Sequence, residues 1–150
     1  MDNSDLVKGI HGKGDKELVL LIAKMIPEDV QPAWLIRSII SMSATYDHIV
    51  DNDSYTIEEV HNMVGDMLYY FPTNPFFVRH QQVLRVLLLN SIHAWKFAES
   101  CPDYRIKVAD CISEIGCACL LLTGGLTRLN TEGNKWRQAC YNLLKQSDKR

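Results

Sequence analysis

Between Pro75 and Ser100 the chain runs PFFVRHQQVLRVLLLNSIHAWKFAES, with no glycine, no proline after its first residue and apolar side chains almost all round. Asn74 followed by Pro75 is a helix-start signal, and Cys101-Pro102 a stop, so the spacing predicts one continuous helix over 75–100. At ~1.5 Å per residue such a rod is roughly 39 Å long, more than a small domain is wide. A helix so poor in charge is expected at the centre of the fold. Set at 100° per residue, His80 falls in its apolar stripe with Leu84, Leu87, Ser91 and Ala98. His80 and Ser91 are therefore the candidate buried polar site, as core groups satisfied by other elements or as a base or ligand.

The rest of the chain carries the same period. Asp15 is placed to cap a helix over Lys16–Met25 that Pro27 ends, although the apolar run Leu18–Ala23 also suits a buried strand. Pro32 opens a helix reaching about Val50, and Asp51-Asn52-Asp53-Ser54 reads as a turn. Thr56-x-x-Glu59 is a capping box, behind which Ile57, Val60, Val64, Met67 and Phe71 form an expected core stripe. From Tyr104 to about Thr123, Val108, Ile112, Ile115, Cys119 and Leu122 share one helix face. Beside it Ala109, Ser113 and Gly116 make a small-residue strip that lets another helix come close. Gly124-Gly125 ends that helix, and Trp136, Ala139, Cys140, Leu143 and Leu144 mark an amphipathic C-terminal one. The expected architecture is all-α: a loosely ordered arm over 1–14, then a single-domain bundle of five or six helices over 15–150, packed around the long helix 75–100.

A chain of 150 residues, 47% hydrophobic and 23% charged, suits one ordinary globular domain. Its first residues are polar and acidic, and its apolar runs fall short of the roughly 20 residues that span a bilayer, so a cytoplasmic protein without membrane contact is expected. Five cysteines at 101, 111, 117, 119 and 140 are an odd number without metal-type spacing and are expected as reduced thiols.

Patterns that carry chemistry fail on inspection. Glu58-x-x-His61 has the spacing of a di-iron carboxylate site but no second such pair accompanies it. Asp110 and Glu114, one turn apart with Lys107, read as a solvated salt-bridged face. Asp47-His48 with Asp51 and Asp53 lacks the glycine and terminal glutamate of a calcium loop. A helix–turn–helix over 16–45 would recognise DNA with PAWLIRSIISMS, which has one basic residue and too much apolar surface. No catalytic residue, metal or cofactor is expected, and nucleic-acid binding is disfavoured.

Charge is polarised along the chain. Residues 1–66 carry five Lys/Arg against twelve Asp/Glu, and residues 126–150 carry six against two. An acidic front and a basic tail attract one another, within a subunit or between subunits. Val78, Val86, Leu89 and His93 lie on the far side of the 75–100 helix from His80 and form a candidate interface, which points to a homodimer.

His80 near the start of a long helix, Ala94-Trp95 about fourteen residues on and Gly124-Gly125 closing the next helix together resemble small helical proteins encoded by bacteriophages and prophages. The resemblance implies a phage-related origin and an accessory, regulatory or inhibitor role, without an attached reaction. The leading expectation is a non-enzymatic protein that binds protein, itself included. The alternative is a small-molecule- or metal-binding bundle built on His80, and a weaker one is nucleic-acid binding through the basic C-terminal tail.

Overall fold

Gly125 decides the shape of the C-terminal third. The computed structural model describes residues 3–10, 12–50, 54–98 and 101–146, and every regular element among them is helical. The last element, α8 (Cys101–Gln146), is interrupted at Gly125, where φ is 70° and ψ is −166°, a conformation open in practice to glycine alone. There the chain folds back, and residues 126–146 pack antiparallel on residues 101–124. The Trp136 indole N–H donates to the carbonyls of Ile112 (3.3 Å) and Ser113 (3.2 Å). The Tyr141 hydroxyl donates to the Asp110 carboxylate. The small-residue strip is what admits the indole: a Cβ on Gly116 would stand 1.9 Å from Trp136 Nε1.

This hairpin is the centre of the bundle. Helices α2 (Lys13–Met25) and α3 (Gln31–Val50) pack on each other and on α8, burying Leu18, Val19 and Ile22 from one and Leu35, Ile36, Ile39 and Ile40 from the other. The strand alternative for 18–23 is thereby excluded. Asp15 sits inside the first turn of α2 rather than at its cap, which Gly12 occupies. Gly14 passes so close to the end of α8 that a Cβ would lie 2.7 Å from the Leu143 carbonyl. The expected loose arm instead contains a turn of helix, α1 (Ser4–Val7), whose Leu6 is fully buried. Arg37 Nη2 holds that segment down through the Lys8 carbonyl at 2.6 Å.

Helix α4 (Ile57–Gly65) starts on half of its capping box. Thr56 Oγ1 accepts from the Glu59 N–H at 3.0 Å, while the Glu59 carboxylate turns to His48 Nδ1 at 3.2 Å. It continues through a π-helical turn, Asp66–Tyr70, into the short α5 (Phe71–Thr73). The turn before it, 51–53, lies outside the described residues. Asn74 caps α6 (Pro75–Arg79) as expected, its Oδ1 accepting from the Phe77 N–H at 3.0 Å.

The expectation of one rod over 75–100 is corrected. The helix breaks at His80 (φ −118°, ψ 25°), α7 begins at Gln81 and it ends at Lys96. The cause is a change of partner: α6 packs on α3, whereas α7 packs on α8, and one straight axis cannot serve both. His80 keeps the junction hydrogen-bonded, its N–H shared by the Phe76 and Phe77 carbonyls and its own carbonyl accepting from Val83 and Leu84. Nor is this segment central. Leu84, Leu88, Ser91 and Trp95 face the core, and the other side of α7 is open. Trp95, Tyr46 and Tyr104 form an aromatic cluster with centroids 5.8–6.2 Å apart, and the Tyr104 hydroxyl donates to the Ser43 carbonyl at 2.7 Å, joining α3, α7 and α8.

Candidate functional site

The candidate pair His80 and Ser91 is not assembled. His80 is half-buried at the helix break with its ring 4.7 Å from that of Phe76. Ser91 is buried a long way down α7, its hydroxyl donating to the Leu87 carbonyl at 2.9 Å and meeting the Cys111 thiol. No hydrogen bond joins the two, and no group of three or more His, Cys, Asp or Glu among the described residues could hold a metal ion. Ala94-Trp95 and Gly124-Gly125 likewise have packing roles, in the aromatic cluster and at the α8 fold-back. The helix once weighed as a DNA reader lies within α3, and its apolar residues fill the core.

The candidate interface residues Val78, Val86, Leu89 and His93 are all exposed, Leu89 at 61%, and His93 stacks edge-on against Phe97 at 4.9 Å. Val83 and Ile92, on opposite flanks of α7, and Phe97 at its end are exposed as well. Buried and exposed apolar residues thus alternate around α7, and only the half facing α8 has cover. Gln81, Gln82, Arg85, Asn90 and His93 are exposed among these apolar residues.

A second apolar surface contradicts its expected role. Ile57, Val64 and Met67 were placed in a core stripe, yet they are exposed, Ile57 at 89%. With Leu68 at 75%, Tyr69 and Tyr70 they cover the outside of α4 and the π turn. Only Phe71, at the end of that stripe, is fully within the core, against Phe77 at a ring distance of 5.1 Å. The π turn explains the mismatch. Five residues per hydrogen-bonded turn instead of four insert one position, rotating everything beyond it by ~100° relative to α4.

Between the N-terminal segment, the polar side of α3 and α4 lies an open cleft of about 1830 Å³. That exceeds the ~300–1,000 Å³ of a site that encloses a small ligand, and its floor is polar: Arg37, Ser38, Ser41, Thr45 and His48 recur at helical spacing along α3. Two of its carboxyls are strongly perturbed, both by burial. Asp66, 6% exposed at the start of the π turn, has its carboxyl pushed up to about 6 by burial, against the pull of the Arg37 charge and a Ser38 hydroxyl bond. Arg37 stacks over Trp34 at 5.6 Å and is tied to Lys8, with its Nε buried and unbonded. Burial also raises Asp15 to about 6. These groups fasten the first ten residues and the π turn to α3, a structural task.

Among the described residues thiol chemistry is suppressed, and the Cys101 side chain lies outside them. Cys111, Cys117, Cys119 and Cys140 are free, and burial pushes each thiol up, Cys111 to about 12. No family model, curated protein or solved structure matches the chain.

Proposed function

We propose that this chain is a non-catalytic helical protein that works by binding protein through the outer face of α6–α7, and that the first protein it binds is a second copy of itself. One observation carries the reading: Val83, Val86, Leu89 and Ile92 stand exposed around the outward half of α7, with Val78 and Phe97 exposed beyond its two ends, while Leu84, Leu88, Ser91 and Trp95 fill the core from the inner half. Six large side chains at roughly 100 Å² each give an apolar patch on the order of 600 Å², at the upper end of what monomeric proteins expose. The face is rigid, because Trp95 and Leu84 pin α7 to α8 and α3, so little ordering entropy opposes docking.

Sedimentation equilibrium at micromolar concentration tests it. The wild type is expected at twice the 17.1 kDa chain mass, and Leu89→Asp, which alters an exposed side chain, is expected at the chain mass with an unchanged helical spectrum. A clean monomer for the wild type at both low and moderate salt overturns the reading.

A further inference from the structure

The two open apolar faces lie in stretches of sequence of opposite charge. From Ser38 to Val78 there is no lysine or arginine, only Asp47, Asp51, Asp53, Glu58, Glu59 and Asp66. Of these acids, Asp47 and Asp66 are buried, Glu59 pairs with His48 and Glu58 is exposed. From Pro75 to Ala98 there is no acid, only Arg79, Arg85 and Lys96. The first stretch holds the α4–π surface of Ile57, Val64, Met67, Leu68, Tyr69 and Tyr70; the second holds the α7 surface of Val83, Val86, Leu89 and Ile92. Glu58 stands exposed beside Ile57, and Arg85 exposed beside Val86.

We infer that the occupant of each α7 face is the α4–π face of a second copy, and that the pair closes as a two-fold dimer in which this contact is made twice. The inference rests on the reading of α7 as the binding face and names what meets it. Two-fold closure allows it: if α7 of one copy lies on α4 of the other, the symmetry makes the reciprocal contact as well.

Charge and area both favour this over a contact of α7 with α7. Pairing two α7 faces brings two acid-free surfaces together, with Arg79 and Arg85 of both copies in one contact and no carboxylate to neutralise them. Pairing α7 with α4–π sets Arg85 and Arg79 against Glu58, a complementarity that steers association and fixes register. The α4–π patch adds about 600 Å² per copy to the ~600 Å² of α7, by the same side-chain measure. An α7–α7 contact would close about 1,200 Å² of apolar surface in total, the lower edge of a stable interface. The double contact closes about 2,400 Å², the size of a permanent homodimer. It leaves neither patch in water.

Four exposed-residue variants separate the possibilities: Leu89→Asp on α7, Leu68→Asp on the π turn, Arg85→Glu and Glu58→Arg, each checked for a wild-type helical spectrum. Sedimentation at 10 µM is expected to show a dimer for the wild type and monomers for Leu89→Asp and Leu68→Asp alike. Arg85→Glu or Glu58→Arg alone is expected to weaken the dimer about three- to tenfold, and the double charge reversal to restore it. Dimeric Leu68→Asp with monomeric Leu89→Asp overturns this inference while leaving the α7 reading intact. Monomeric Leu68→Asp with dimeric Leu89→Asp overturns both, and so does a monomeric wild type. Growth beyond the dimer with concentration overturns the two-fold closure.

Discussion

Gly116 is the position at which the packing of this protein can be tested by one methyl group. In an exposed helix interior, Gly→Ala stabilises by about 1 kcal/mol, because alanine restricts the unfolded chain. Here the new Cβ would stand 1.9 Å from Trp136 Nε1, 2.1 Å from Cε2 and 2.6 Å from Cζ2. Ordinary contact needs ~3.5 Å or more, so the indole must retreat by roughly 1.5–2 Å. It has nowhere to go, since Trp136 is fully buried between the two halves of α8. Retreat also breaks its bonds to the Ile112 and Ser113 carbonyls, now 3.3 and 3.2 Å. Overpacking costs about 1–3 kcal/mol and a stranded indole N–H a further 1–3, so after the helix-propensity gain the net loss is roughly 1–5 kcal/mol. For a chain of this length that is a fall in Tm of roughly 2–20 °C at fixed protein concentration. Circular dichroism melts of wild type, Gly116→Ala and Gly133→Ala provide the assay. Gly133 is the control, because its added Cβ meets only Leu129 Cδ1 at 3.2 Å, the end of a side chain that can rotate, and near-neutrality is expected there. A Gly116→Ala variant as stable as the wild type, or more so, would falsify the fold-back of α8 onto itself.

Three other consequences follow from the same structure. Asp66 holds its proton to about pH 6 in the folded state but only to about 3.8 unfolded, so the native state binds more protons between those values and stability falls as pH rises through them. Asp66→Asn removes that dependence, and its stability relative to wild type is expected to be about 2–3 kcal/mol higher at pH 7.5 than at pH 4.5 in urea unfolding; a pH-independent difference refutes the assignment. Cys111, Cys119 and Cys140 are expected to react slowly with a disulfide reagent in the native protein because burial keeps them protonated, while the protein denatured without reductant yields five thiols; fewer than four, or bound zinc in stoichiometric amount, contradicts this. His80→Gln is expected to leave association unchanged and to lower stability by about 1 kcal/mol, since the ring only packs on Phe76 at the helix break. Loss of association with an unchanged Tm would instead revive a binding role for His80.

What the sequence made legible was set by chemistry within a few residues. Thr56 and Asn74 cap helices because their side chains reach an N–H three positions on, and Gly125 turns the chain because only glycine takes its dihedrals. The strip Ala109, Ser113 and Gly116 announced a close neighbour, although only the structure shows that the neighbour is Trp136 of the same helix. What was misread depends on partners distant in sequence. The break at His80 carries no proline or glycine; it exists because α6 and α7 lie on different helices. The direction of the α4 stripe was lost at a π turn, for which DMLYY gives no local signal.

The remaining errors share one form, and it bears on function. Ile57, Val64 and Met67 have the spacing of core residues without core burial, and the far side of α7 exposes Val83, Val86, Leu89 and Ile92 among its polar residues. Hydrophobic periodicity reflects every burial a chain undergoes, including burial in an assembly, whereas the fold of one copy supplies only its own contacts. On the proposed reading, surfaces where the two disagree are where a second copy docks. Here there are two such surfaces, of similar size, one with only basic charges in its stretch of sequence and one with only acidic. A partner unrelated to this chain would account for either surface alone. A second copy accounts for both at once, which is why the pair of variants Leu68→Asp and Leu89→Asp, rather than either singly, carries the decision.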